Sequence, residues 1–335
     1  MEISFRAIQD NILKVVCSEQ KTDTVPGEQI LPEADAQTAA AGLITAAVKD
    51  SAVTFSRADQ EFAVQSGCAL TPKEVFRYTF TGSAPVIVTK KTIDGERSFV
   101  ENADTVKIAD AYEAEISFRL SDGEAIYGLG QQENGYYNYR GVKEYLYQNN
   151  MKIPMPVVLS SKNYALLFDA SCMFSYEEHD NTMTFDFDAV DALVYYVITG
   201  KNFDELIAGI RFLTGKAVML PKWAFGYIQS KERYKTQQEI LTTAAEFKKR
   251  QIPVSCLVLD WHSWEEGKWG NKIFDKSRFP EAKAMVEQLH RDHIAFMISV
   301  WPNMNRGTEN NAEMAQAGKL LMNLSTYDAF DDEAR

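Results

Sequence analysis

No tryptophan occurs in the first 222 residues; all five lie between 223 and 301. An uneven supply of the largest flat side chain suggests that the stacking chemistry belongs to one part of the chain. Cysteine is scarce too. The four, Cys17, Cys68, Cys172 and Cys256, are far apart and form no CxxC pair, which argues against a zinc knuckle. Two of them sit in apolar runs, KVVC and VSCLVL, where a thiol packs as a small hydrophobe. There is no HExxH motif and no glycine-rich loop following a strand, so neither a zincin site nor a nucleotide site is expected, and no metal or cofactor. Positive charge is short: 35 Lys and Arg face 47 Asp and Glu, for a net charge of −12. That excess argues against nucleic acid or an anionic membrane as a partner. No run of about 18 apolar residues exists to span a bilayer, and MEISFRAIQDNILKVVCSEQ has no basic region followed by an apolar core. With Met1 as the natural start, a cytoplasmic protein is expected.

What is present divides at about residue 217. Before it, short alternating runs such as ISFRAI, NILKVVC, VFRYTF, PVIVTKKTI, AEISFRL, YALLFD and LVYYVIT recur between turn signals. Asp94-Gly95 and Asp122-Gly123 are expected to close tight hairpins. Many short strands without long helices predict a β-sandwich over 1–217. The polar segment 20–43 reads as a surface loop. Phe203–Leu213 reads as a short helix, with Leu206, Ile207, Ile210 and Leu213 on one side.

After Pro221 the period changes to strand, helix, strand, helix, strand. Trp223–Gln229 reads as the first strand, Val254–Asp260 as the second and Ala295–Trp301 as the third. Thr236-Gln-Gln-Glu239 is a capping box opening a helix to about Arg250, and Pro280 opens another with Ala282, Met285, Val286 and Leu289 inward. Alternation of this kind predicts parallel strands with crossover helices. The expected fold is a β-sandwich followed, over 218–335, by the first part of a (β/α)8 TIM barrel, cut after about three βα units.

In such a barrel the working groups sit at the C-terminal strand ends. Those ends carry Gln229 with Ser230-Lys231-Glu232, then Asp260-Trp261-His262, then Trp301-Pro302-Asn303. Asp260 can accept hydrogen bonds from sugar hydroxyls, or cap its own loop. Trp264 and Trp301 are expected to offer flat faces to a pyranose; Trp261 is open between pocket and core, Trp269 is ambiguous, and Trp223 is expected in the core. His262, His290 and His293 read as surface histidines. Glu265-Glu266 reads as a solvated pair, since neighbours on one loop do not face each other across a sugar. No acid and nucleophile set is found within 1–335, so no catalytic residue is assigned.

Six ordered blocks resemble glycoside hydrolase family 31: IYGLGQQENGYYNYRG (126–141), MLPKWAFGYIQSKERY (219–234), IPVSCLVLDWHSW (252–264), FDKSRFPEAKAMVEQLH (274–290), MISVWPNM (297–304) and YDAFDDEAR (327–335). The wording is most similar to that of bacterial α-xylosidases, with α-glucosidases next. The resemblance implies an exo-acting retaining α-glycosidase that removes α-linked xylose from the non-reducing end of oligosaccharides. It implies a catalytic Asp pair after the fourth and sixth barrel strands, beyond Arg335, so the 335-residue chain is expected to be inactive. It matches Asp260 to a substrate-binding Asp and, less closely, Trp264 and Trp301 to pocket aromatics. It matches the loop of Glu133, Asn134, Asn138 and Arg140 to a substrate-closing loop. The alternatives are an α-glucosidase of the same family and a non-catalytic sugar-binding or assembly fragment. The expected partner is a small oligosaccharide, with a homo-oligomer through the open sheet edge.

Overall fold

The computed structural model describes residues 1–20, 25, 43–79, 86–92, 95–321, 324–329 and 331–334. Most of the loop expected at 20–43, Asp94 of the Asp94-Gly95 turn, and Phe330 and Arg335 of the last block lie outside the described residues. The chain forms two compact units, Met1–Phe80 with Asp104–Ala217, and Thr81–Ala103 with Val218–Arg335. No helix among the described residues is long and apolar enough to cross a membrane.

The first unit is built from strands β1 (Glu2–Gln9), β2 (Ile12–Ser18), β3 (Ile44–Lys49), β4 (Ala52–Arg57) and β5 (Gln60–Thr79). After a hairpin of β6 (Ile87–Thr92) and β7 (Gly95–Val100), which belongs to the second unit, it continues with β8 (Asp104–Arg119), β9 (Ile126–Gln131), β10 (Lys143–Leu146) and β11 (Ile153–Ser160). It ends with β12 (Tyr164–Phe168), β13 (Phe174–His179), β14 (Thr182–Val190), β15 (Leu193–Thr199) and helix α1 (Phe203–Thr214). Six strands join in the order β1-β2-β15-β12-β11-β9, and seven in the order β10-β13-β14-β8-β5-β4-β3. Val15, Leu166, Phe168 and Tyr195 of the first sheet share one core with Phe55, Ile116, Phe118, Phe185 and Phe187 of the second. Phe168 lies 4.6 Å from Phe185 and 5.2 Å from Phe187, ring centre to ring centre.

The six-stranded sheet is covered on its other face as well. Val16, Leu167, Val194 and Ile198 pack there against Leu206, Ile210 and Leu213 of α1. This explains why β2, β12 and β15, expected as alternating strands, are instead buried throughout. Ile207, expected on the inner face of α1, is exposed, and Gly209 takes its place. A Cβ at Gly209 would lie 2.6 Å from Ile198 Cγ2, so the helix approaches the sheet at a distance only glycine allows.

The Asp122-Gly123 turn does form, with Gly123 at φ +70°, but it is not a hairpin. It passes the chain from β8 in one sheet to β9 in the other. Glu124 follows, buried, and its carboxylate accepts from Ser160 Oγ at 2.5 Å, Tyr164 Oη at 2.8 Å and the Ser121 amide at 2.8 Å. Burial and the neighbouring Glu124 push the Tyr164 hydroxyl well above its usual pKa.

The second unit contains three parallel strands, β16 (Ile228–Glu232), β17 (Cys256–Asp260) and β18 (Ala295–Ile298), in the order β16-β17-β18. Helices α2 (Gln237–Lys249) and α3 (Ala282–Arg291) supply Ile240, Ala244, Met285 and Leu289 to a core with Leu257 and Leu259 of β17. Helix α4 (Glu309–Gln316) follows. Half of the capping box forms: Thr236 Oγ1 accepts from the Glu239 amide at 3.2 Å, while Glu239 Oε2 accepts at 2.7 Å from the amide of Lys235, one residue before the cap.

Each strand is shorter than expected, and the first is displaced. Residues Lys222–Phe225 form a 3-10 turn, in which the Gly226 amide bonds the Trp223 carbonyl at 3.1 Å. Pro221, lacking an amide hydrogen, starts that turn, and pairing with β17 begins only at Ile228, opposite Cys256. Trp223, expected in the core, is instead 38% exposed.

Candidate functional site

The registers bring the three strand ends together. Glu232 pairs with Asp260, and Leu259 pairs with Ile298, so Ser299 follows directly beside Asp260. Asp260 is half-buried. Its Oδ1 accepts from the Trp261 amide at 2.7 Å and from Ser299 Oγ at 2.5 Å. Among the described residues every hydrogen bond to this carboxylate falls on Oδ1, which leaves Oδ2 open.

Beyond Asp260 the backbone turns sharply, with Trp261 at φ +69°. The Trp261 ring becomes the hub of an aromatic group. Its centre lies 5.9 Å from Trp264, 5.5 Å from Trp269 and 5.6 Å from Trp301, each close to edge-on. Trp269 and Trp301 meet at 5.3 Å. Edge-to-face pairs of this kind contribute about 0.5–1.5 kcal/mol each beyond their burial. Trp264 is only 4% exposed and Trp269 7%, whereas Trp261 and Trp301 keep part of their surface. Of the two rings expected at a pocket, Trp301 keeps accessible surface and Trp264 is buried; Trp261, left open between pocket and core, is partly accessible.

His262, expected on the surface, is 4% exposed. It stacks on Trp264 at 5.5 Å. Its Nδ1 lies 2.9 Å from the Trp264 carbonyl and 3.1 Å from Arg278 Nη2, and its Nε2 faces Arg233 Nη1. Burial, with help from Arg233 and Arg278, holds the imidazole below its usual pKa. His290 and His293 are exposed, as expected.

Arg278 clamps the tryptophan loop. Its Nη2 donates to the Trp264 carbonyl at 2.5 Å and the His262 carbonyl at 3.3 Å, and its Nε to Asp275 Oδ2 at 2.8 Å. Asp275 Oδ1 accepts from the Ser277 amide at 2.8 Å and hydroxyl at 2.6 Å. These bonds, Ser277 first and Arg278 next, hold the Asp275 carboxyl down at about 2. On the far side, Asn271 and Lys268 bond Glu309 at 3.0 and 2.9 Å, tying the loop to the start of α4. Gly270, at φ +78°, leaves no room for a side chain: a Cβ would lie 1.8 Å from the Asn303 carbonyl oxygen. Glu265 and Glu266 are exposed, and Glu265 pairs with Lys268 at 3.0 Å.

In the first unit, Asn134 is exposed; its Nδ2 bonds Glu144 and its Oδ1 accepts from the Tyr136 amide at 3.1 Å. Asn138 accepts from the Ile126 amide at 3.1 Å. Arg140 is committed: it donates to the Glu124 carbonyl at 2.9 Å and to Asn181, and pairs with Glu178 at 3.2 Å. No group of three or more His, Cys, Asp or Glu side chains among the described residues converges as a metal site.

Ser299, Asp275, Arg278 and His262 were not legible as site-building residues. The one available signal was Asp275-x-Ser277, a turn in which a carboxylate bonds backbone two residues on.

With this geometry in view, residues 217–333 match the family described as the glycosyl hydrolases family 31 TIM-barrel domain. These residues belong to glycoside hydrolase family 31. The chain is 40% identical over 233 residues to an α-xylosidase of Saccharolobus solfataricus, covering 67% of this chain and 32% of that protein. It is 34% identical over 216 residues to α-xylosidase A of Aspergillus niger, covering 63% and 28%. Thus the family 31 match spans about a third of the length of these relatives. In fold it is similar to a family 31 α-xylosidase from Xanthomonas citri, with a TM-score of 0.77 at 18% identity, over 99% of this chain and 53% of that one. An α-xylosidase from a soil metagenome, solved with xylose, gives a TM-score of 0.71 at 22% identity, over 99% and 51%.

Proposed function

We propose that this chain is the sugar-recognising front part of a retaining α-glycoside hydrolase acting on α-linked xylose at the non-reducing end of small oligosaccharides. The observation that carries the reading is Asp260: a half-buried carboxylate at a parallel strand's C-terminal end, one oxygen held and the other open, beside the accessible rings of Trp261 and Trp301. Such a carboxylate accepts hydroxyl hydrogens, while indole faces suit the C–H side of a pyranose. The relatives named α-xylosidase favour xylose, and the S. solfataricus α-glucosidase, 27% identical over 194 residues, supplies the alternative.

On this reading residues 1–217, apart from Thr81–Ala103, which group with the second unit, are a β-sandwich, and 218–335 open a (β/α)8 barrel. Asp260, Trp301 and Trp261 contact the sugar, and Trp264 supports them from below. The roles of Asn134 and Arg140 rest on the resemblance, with Arg140 framing its own loop. The 335-residue polypeptide by itself binds without turning over. It also self-associates through exposed apolar side chains such as Phe225, Ile228, Met297 and Val300.

The test is to assay p-nitrophenyl α-D-xyloside and α-D-glucoside with the 335-residue chain and with the product of any longer reading frame that contains it. The reading expects no turnover by the first, and α-xylose released with retained configuration by the second. Preferential release of glucose would favour the alternative, and turnover by the 335-residue chain would overturn the claim that it only binds.

A further inference from the structure

We propose that Ser299 is the positioning residue of Asp260, and that it makes this carboxylate offer one oxygen, Oδ2, to a bound sugar. The inference deepens the sugar-site reading and rests on it for the ligand, but its geometry stands alone.

Asp260 is the last residue of β17 and pairs with Glu232, the last of β16. Two donors hold its carboxylate, and both choose Oδ1. The Trp261 amide, the next donor along the chain, reaches it at 2.7 Å. Ser299 Oγ reaches it at 2.5 Å from the neighbouring strand. Ser299 is placed there by the ladder itself: Leu259 pairs with Ile298, and the Ser299 amide donates to the Leu259 carbonyl at 3.2 Å. Its hydroxyl is therefore carried by a hydrogen-bonded backbone, not by a loose loop. With Oδ1 taken by two donors, rotation of the carboxylate would sacrifice both bonds. Oδ2 is then held in one direction before any ligand arrives. Pre-organising an acceptor in this way strengthens binding by removing the cost of ordering it afterwards.

Without Ser299 the Trp261 amide alone remains, and the carboxylate is free to turn about its side-chain bonds. Ser299→Thr retains a hydroxyl at the same position; Ser299→Ala does not.

The experiment is to crystallise the 335-residue chain and its Ser299→Ala and Ser299→Thr variants without sugar, and to titrate each with methyl α-D-xyloside by NMR. We expect Asp260 in one conformation in the parent chain and the Thr variant, and rotated or split in the Ala variant. Binding should weaken about tenfold in the Ala variant, the loss of one charge-assisted hydrogen bond, and recover in the Thr variant. If Asp260 keeps its conformation in Ser299→Ala, the positioning role is overturned, whatever the titration shows. If Asp260 rotates but the parent chain binds no xyloside, the positioning stands and the xylose reading fails.

Discussion

The two units handle a buried carboxylate in opposite ways. In the first, Glu124 is enclosed between two sheets and both of its oxygens are bonded, by Ser160 and Tyr164 on one and the Ser121 amide on the other. In the second, Asp260 stands half-buried at a strand end, with two donors on one oxygen and none on the other. A carboxylate whose acceptor capacity is used up acts as glue, and one left half-satisfied can still take a partner. Arginine is committed in both units: Arg140 is spent on Glu124, Asn181 and Glu178 of neighbouring segments, and Arg278 on carbonyls that fix the tryptophans beside Asp260.

Because every tryptophan lies in the second unit, its fluorescence reports that unit, while far-UV circular dichroism reports both, including the strands of the first. That difference lets the comparison be broken one side at a time. The largest expected effect is Glu124→Ala, which strands two buried hydroxyls and should cost about 3 kcal/mol, lowering the dichroism midpoint and sparing the fluorescence midpoint. A fall of both together would mean that the units do not unfold separately. Next, Gly270→Ala forces a side chain against the Asn303 carbonyl at a positive φ. It should destabilise the fluorescence transition by at least about 2 kcal/mol. Arg278→Ala frees the Trp264 and His262 carbonyls and should cost about 1.5–3 kcal/mol on the same probe, with a shifted emission maximum. An unchanged maximum would show that the clamp does not order the rings.

The acid response is smaller and has a defined sign. The Asp275 carboxyl is held at about 2, below its ordinary 3.8. The unfolded chain therefore takes up this proton first, and the stability Asp275 contributes is fully present above about pH 4 and lost as pH falls through about 2. The fluorescence midpoint in urea should drop across that window, and the drop should shrink in Asp275→Asn.

Much of this was legible in the sequence because periodicity reports burial. The apolar runs around Val15, Leu166 and Tyr195 gave strands, and Thr236 with Glu239 gave a helix start, because each signal is local. The displaced first strand was not legible. In WAFGYIQ the apolar letters continue through a 3-10 turn, and only pairing with Cys256 fixes where the strand begins. Asp260 could be placed at a strand end from its run. Its partner Ser299 could not, since 39 residues separate them and a parallel register joins them. His262 was misread for a similar reason: its partners Arg233 and Arg278 come from other segments.

The central claim is that Asp260 serves a ligand and not the fold. The direct test is to titrate the 335-residue chain and its Asp260→Asn variant with methyl α-D-xyloside, and to melt both. Asn keeps an acceptor for the Trp261 amide and Ser299, so the fluorescence midpoint should move by less than about 0.5 kcal/mol while binding is lost. Undiminished binding in the variant, or a large loss of stability, would contradict the account.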